Sequence, residues 1–382
     1  MQSMRASRWQ WILGAIAIAG LLSACPVHAV TPVAVGTCHP STPSYPTIQQ
    51  ALDAVSPSGT VLVCAAVYPE QIYIHQPVTL KGIPNGKNQE ARIVTPLAGM
   101  VPDVTSGLLS TGSAHVLIMN AGAVNISNIV IQGQGTNPAS CNVDSNYYGI
   151  ATIGTNVTIS NSVVRNVGDP QATCFAVGIA TEGQNNSLSI NNSIVHDGAM
   201  GVFTDVAGAF TMTASTLADL NVGLHILFPY GPATISSNNV LNIGCPSACQ
   251  LASWMGFAVR VSVGATGGAL KLTNNTVEMT ANSTAAFDLT TPLVMPATVT
   301  GNKITGGAIG IFADGATDAF ISKNMIQHVV VGLKIDDYGR TGGNTVSNNT
   351  VKEAACGVWK ANSLGDTVGP NAFVLNTMTT CP

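Results

Sequence analysis

From about residue 148 onward, apolar and polar positions fall into two short patterns that interleave one for one. The first is a small residue, then an apolar one, then side chains that alternate in character. It recurs as Gly149-Ile150, Gly178-Ile179, Gly201-Val202, Gly223-Leu224, Gly256-Phe257, Ala286-Phe287, Gly310-Ile311, Gly332-Leu333 and Gly357-Val358. The second is apolar-x-x-(Asn or Ser)-x-apolar. It runs from Ile159/Ser162/Val164 through Ile235/Asn238/Val240 and Ile321/Asn324/Ile326 to Val346/Asn349/Val351 and Phe373/Asn376/Met378. The step from the polar residue to the next small one is eight residues at 193 to 201, 215 to 223, 302 to 310, 324 to 332 and 349 to 357. Longer steps at 162 to 178 and 238 to 256 carry insertions, each containing cysteine.

The uninterrupted period is about 22 residues, within the range of solenoids, propellers and arrays. Runs of three to five alternating residues rich in β-branched side chains are strands rather than helices. Four strands of a propeller blade do not fit in one such period. The pattern therefore predicts a coil of short strands, each stacked about 4.8 Å from its equivalent in the next coil. Inward Ile, Val and Leu form continuous columns, and Asn at one turn forms a side-chain ladder along the axis. The sequon Asn348-Asn349-Thr350 belongs to that ladder and is not read as a glycosylation site.

Ahead of the repeats, Thr47 followed by Gln50 makes a capping box. Ile48, Ala51, Leu52 and Val55 give the ensuing helix one apolar face. A solenoid needs its open end covered, and this helix is the expected lid. The stretch from Tyr45 to Val55, then Thr60-Val61-Leu62-Val63, Tyr68-Pro69-Glu70-Gln71-Ile72 and Pro77-Val78-Thr79-Leu80-Lys81-Gly82, closely resembles the N-terminal opening of the pectin-lyase-like superfamily, NosD-type periplasmic proteins included. With the repeats, the resemblance covers nearly the whole chain beyond the export segment. It implies an all-β, single-stranded, right-handed parallel β-helix with an N-terminal capping helix.

The first 29 residues read as a signal peptide. Arg5 and Arg8 precede an apolar stretch from Trp11 to Ala24 that is short for a membrane span. Val27-His28-Ala29 suits ordinary cleavage. Leu22-Ser23-Ala24-Cys25 instead resembles a lipobox ending at residue 24, which would make Cys25 a lipidated N-terminus. Residues 30–95 then form the N-terminal cap and first coils, and 96–382 the repeats. Eight further cysteines, Cys38, Cys64, Cys141, Cys174, Cys245, Cys249, Cys356 and Cys381, point to disulfides in an exported chain. Pairing of neighbours closes short stretches and is the arrangement expected among 105 connectivities. The location is periplasmic, extracellular or outer-membrane lipoprotein, with membrane attachment only through that lipid.

Composition narrows the function. Charged residues are 8% of the chain, and its 30 Asn nearly equal its 32 charged residues. Fourteen basic against 18 acidic residues cannot neutralise a nucleic-acid backbone. Beyond the signal the chain keeps 18 acids, 12 bases and six histidines. Eight of these fall on 18 positions that strand alternation turns outward, two and four residues after each small residue. One column reads Ala151, Ala180, Phe203, His225, Ala258, Asp288, Phe312, Lys334 and Trp359. The other reads Ile153, Glu182, Asp205, Leu227, Arg260, Thr290, Asp314, Asp336 and Ala361.

Aromatic faces stack on sugar rings, and acids hydrogen-bond hydroxyls. This strip is therefore the candidate groove for a polysaccharide or cell-envelope glycan. Asp288, Asp314 and Asp336 lie on successive coils, and a carboxylate pair ~5–9 Å apart is the geometry of glycoside hydrolysis. Glu182, Phe203, Asp205, His225, Arg260, Phe312, Lys334 and Trp359 are the substrate-binding candidates. Glu182 and Asp205 also offer oxygen ligands for calcium, and Arg260 in their column gives a lyase-like arrangement. No other cofactor is implied. Asp336-Asp337 is similar to the paired aspartates of polygalacturonases without their companion motifs, and the signatures of pectin methylesterases and alginate epimerases are absent. An enzyme on this strip would be a polysaccharide lyase or glycoside hydrolase; the alternative is a non-catalytic structural or adhesion protein of the envelope. His196 and His328 fall at strand ends and read as turn residues. Trp254 and Met255 read as packing on the coil.

Overall fold

The computed structural model describes residues 31–86, 89–105, 109, 111–134, 146–168, 175–183, 186–205, 208–227, 231–245, 256–262, 268–290, 296–338, 342–362, 364–374 and 378–381. Residues 1–30, with Cys25 and the expected signal peptide, lie outside them, as do Cys141, Cys174, Cys249, Trp254 and Met255.

The alternating stretches form three short strands per coil. One coil is Ala297–Thr300, Lys303–Thr305 and Ile309–Asp314; the next is Phe320–Ser322, Met325–Gln327 and Val331–Asp336. Each strand pairs in parallel with its equivalent, as Val299 with Ile321, Ile304 with Ile326 and Ile311 with Leu333. Repetition of this unit makes a parallel β-helix with three faces. Among the described residues the first face is a 14-stranded sheet. The second and third join into one 22-stranded system, because Ile194–Asp205 and Thr216–Leu227 run through the corner between them unbroken.

The inward columns are apolar. Ile159, Ile190, Met212, Ile235, Leu272, Val299, Ile321 and Val346 stack inside the first face, all buried in one continuous core. Between the first and second faces runs the polar ladder. Ser162 N–H donates to Ser193 Oγ (3.2 Å), Ser193 to Ser215 Oγ (3.2 Å) and Ser215 to Asn238 Oδ1 (2.9 Å). Asn238, Asn275, Asn302, Asn324 and Asn349 continue it, each donating from backbone N and Nδ2 to the next Oδ1 at 2.9–3.0 Å. The residue before each ladder position turns the corner with positive φ: Asn161 (49°), Asn192 (46°), Asn274 (56°) and Asn348 (59°). Asn tolerates that conformation better than other non-glycine residues, which accounts for the pairs Asn274-Asn275 and Asn348-Asn349.

Two repeat assignments need correction. The ladder ends on Asn371, not Asn376: Asn349 donates to Asn371 Oδ1, and Phe373 pairs with Val351 as the second-face residue. Asn376 lies outside the described residues. The small residue of the inserted coil is Ala258, not Gly256. A Cβ on Gly201 would lie 2.5 Å from the carbonyl oxygen of Gly223, and one on Gly223 would lie 2.4 Å from that of Ala258. The insertion displaced the apparent motif by two residues.

At the N-terminal end the helix Ile48–Ala54 is capped by Thr47, whose side chain accepts from Gln50 N–H. Ile48, Ala51 and Leu52 are buried against the first coils. The Glu70 carboxylate accepts from the free N–H groups of Ile48 (3.0 Å) and Gln49 (3.2 Å). Disulfides join the sequence neighbours Cys38–Cys64 and Cys356–Cys381.

A second apolar cluster lies outside the coil. Val104 and Leu109, on the long connection after Ala91–Val94, pack over Ala151, Ala180, Phe203 and Tyr148 on the upstream third face. Asp103 fixes that connection by accepting from Gln71 Nε2 (2.9 Å) and Ala114 N–H (3.0 Å). Among the described residues the upstream part of the face is thus covered, and no such cluster lies over the downstream coils.

Candidate functional site

Strand register on the third face sets one outward column as Phe203, His225, Arg260, Asp288, Phe312, Lys334 and Trp359. Arg260 stands here, between His225 and Asp288, and not in the column of Glu182 and Asp205. Its place there is taken by Ser262, opposite Leu227. The cause is the Ala258 offset, and it removes the lyase-like grouping of Arg260 with those two acids.

The upstream candidates are not available as a binding surface. Phe203 is buried in the outer cluster, edge-on to Phe175 and His225, so it is no sugar platform. Glu182 and Asp205 are register partners, as their spacing predicted. Glu182 Oε2 accepts from Leu109 N–H at 3.1 Å. Asp205 is buried with Oδ1 lacking a hydrogen bond, and burial, then the nearby Glu182 charge, pushes its carboxyl up to about 6. His225 meets Ser262 Oγ at 3.0 Å; burial, then Arg260, lowers its pKa to about 4, so its imidazole is neutral at pH 7. The apolar outward residues Ala151, Ile153 and Ala180 on the preceding coils are the signal in the sequence that this end of the strip is covered.

Downstream, the polar groups converge. Arg260 Nε lies 3.2 Å from Asp288 Oδ2, and the guanidinium sits over the Phe257 ring, 4.8 Å from its centroid. Asp288 is only 2% exposed and accepts from Thr290 Oγ1 at 2.8 Å. Burial outweighs those partners and pushes its carboxyl up to about 6. Lys334 Nζ is held between two rings, 4.2 Å from Phe312 and 4.6 Å from Trp359. The two aromatic faces expected to meet sugar thus meet an ammonium group, a favourable arrangement in its own right.

Asp314 and Asp336 are direct register partners, with Thr290 preceding Asp314 in the same column. The Tyr338 hydroxyl donates to Asp314 Oδ1, and Tyr338 N–H donates to Asp336 Oδ1 at 3.1 Å. Burial raises the Asp314 carboxyl above its ordinary range. The bond to Asp314 is the main cause that lifts the Tyr338 phenol to about 12. Sequence alternation missed Tyr338, because it lies in the turn just past Val331–Asp336. Asp337 is also turned away from the strip. It is 1% exposed, accepts from Asn344 Nδ2 (3.3 Å), and is pushed up to about 7 by burial and by Asp366.

Three acids of the strip therefore gather on consecutive coils. Strand geometry places Asp314 and Asp336 ~5 Å apart, and Asp288 and Asp314 diagonally at ~7–8 Å. His196 and His328 are not among them: they pair with Asp197 (2.7 Å) and Glu353 (2.8 Å) at corners of the coil.

A parallel β-helix with an acidic and aromatic strip on one face is the class that this fold and site define. Residues 261–380 match a family model described as periplasmic copper-binding protein (NosD). No curated protein sequence matches the chain. Among solved structures it is similar to an aspartate-to-alanine variant of a GH87 α-1,3-glucanase catalytic domain in complex with nigerose, at 12% identity and a TM-score of 0.51 over 92% of this chain and 68% of that one. It is also similar to the Dettilon tailspike protein, at 14% identity and a TM-score of 0.51 over 83% of this chain and 62% of that one. These likenesses show the fold.

Among the described residues, the His, Cys, Asp and Glu side chains do not assemble a copper site. His328 is the sole histidine in the matched segment, and Cys356 and Cys381 are joined to each other. Among the described residues, no three His, Cys, Asp or Glu side chains are placed to share a metal. Copper needs such soft or imidazole donors.

Proposed function

We propose that this chain is an exported protein that binds a polysaccharide along the open, downstream third face, and that Asp288, Asp314 and Asp336 form an acid–base set for glycoside hydrolysis. The observation that carries the reading is the convergence of three carboxylates in unlike surroundings on consecutive coils. Asp288 is buried, with a pKa of about 6, and holds a proton closer to neutrality than an ordinary carboxyl. Asp336 accepts a backbone N–H and lies directly beside Asp314 in register. Carboxyl groups in unlike surroundings and separated by ~5–9 Å are what acid and base, or acid and nucleophile, require.

Trp359 and Phe312 supply apolar edges beside the acids, and Tyr338 adds a hydroxyl to orient a sugar. The ion pair of Arg260 with Asp288 positions that carboxylate. Two disulfides between sequence neighbours and the N-terminal signal support export. A lipid on Cys25 would anchor the chain to a membrane, and Glu182 with Asp205 would be the place for a calcium ion.

The test is release of reducing sugar from a panel of plausible glycans by the whole exported chain and by Asp314→Asn. The reading predicts turnover that falls at least 100-fold in the variant. Binding without turnover leaves a non-catalytic glycan-binding envelope protein. Turnover unaffected by the substitution rejects this site.

A further inference from the structure

We infer that the glycan taken by this strip is uncharged. The inference rests on the polysaccharide reading above and names its substrate class. A uronate polymer presents a carboxylate on every sugar, and a site for it must answer with free cations or bound calcium. The open strip runs from Arg260 to Trp359, five coils spanning about 19 Å. Among its described outward residues the cations are Arg260 and Lys334, and both are already engaged. Arg260 Nε is 3.2 Å from Asp288 Oδ2. Lys334 Nζ is enclosed by the Phe312 and Trp359 rings at 4.2 and 4.6 Å.

The acids outnumber these cations. Asp314 and Asp336 stand side by side on consecutive coils. A polyanion laid on this strip would meet like charge at close range in a partly desolvated setting, where repulsion is strongest. A neutral glycan meets what it can use. Carboxylate oxygens accept from sugar hydroxyls, and aromatic edges cover the apolar side of the ring. Among its described residues the strip also lacks the repeated guanidinium groups with which proteins clamp carboxylates.

The experiment is affinity electrophoresis of the whole exported chain through gels holding uncharged glucans, xylans or galactomannans. Parallel gels hold polygalacturonate or alginate, each with calcium and with chelator, at low and at physiological salt. The expected result is retardation by at least one uncharged polymer and at least tenfold weaker retention by both polyanions. The Asp314→Asn/Asp336→Asn double variant should then gain at least fivefold in retention by polygalacturonate. Equal or stronger retention of the native chain by a polyanion, with or without calcium, overturns this inference and leaves the polysaccharide reading standing. Retention by no polymer of the panel overturns the reading beneath it.

Discussion

Asn324 and Asn349 lie one coil apart, and Asn324 donates from both its backbone N–H and its side-chain Nδ2 to a single oxygen, Oδ1 of Asn349, at 3.0 and 2.9 Å. The same Nδ2 also reaches Val299 O at 2.9 Å, while Asn324 Oδ1 takes two bonds from Asn302. One buried amide thus satisfies groups on three coils. Asn324→Ala leaves several buried donors and acceptors without partners, each costing ~1–3 kcal/mol. Partial relaxation reduces the sum, so a loss of about 3 kcal/mol in urea-unfolding free energy is expected. A loss below about 0.5 kcal/mol would mean that the ladder is incidental to the fold.

Acid should weaken the N-terminal coils through His115. The ring is fully buried, with Nδ1 3.4 Å from Tyr148 O and Nε2 3.0 Å from Thr95 Oγ1 and 3.2 Å from Tyr147 Oη. No charged group faces it within these contacts, and burial lowers its pKa to about 4. Its folded pKa lies below the unfolded value of ~6.5, so the stability it permits is complete above pH 6.5 and is lost as pH falls toward 4. A shift of this size corresponds to about 3 kcal/mol. Equilibrium unfolding of the native chain and of His115→Gln at pH 7 and pH 4 checks this: the variant should lose distinctly less stability between the two.

Rising pH should act at the other end, on Asp337. Its buried carboxyl faces Asp366, with Asp336 nearby, and is pushed up to about 7. A carboxyl with a raised folded pKa favours the fold below the unfolded value, and that contribution is lost as pH rises from about 4 through 7. Asn cannot ionise and keeps a donor toward Asp366. Asp337→Asn should therefore stabilise the chain by about 2 kcal/mol at pH 8 and by little at pH 4. Equal effects at both pH values would contradict this placement of the proton.

Much of the molecule was legible because a solenoid repeats its physics. Gly178, Gly201 and Gly223 recur because a Cβ at each would strike the backbone of the next coil, and the Ser-to-Asn column announces one continuous hydrogen-bonded ladder. The same regularity brings Asp314 beside Asp336. Three features lay outside that logic. Ala258 stands in for glycine, so motif counting placed Arg260 two residues out of register. Val104 and Leu109 join the outer cluster that buries Phe203 from a connection far back in the chain, which no periodicity encodes. Tyr338 and the Asp337–Asp366 pair sit in turns, where side-chain direction does not follow strand alternation.

The claim that joins these observations is that the downstream third face, from Arg260 to Trp359, is a glycan-binding strip. A crystal structure of the Asp314→Asn chain soaked with an uncharged oligosaccharide that it binds tests this most directly. The account predicts sugar density along those coils, with hydroxyls within hydrogen-bond distance of Asp288, Asp336 and Tyr338 and a ring against Trp359. Sugar bound on the first or second face, with the third face bare, would contradict it.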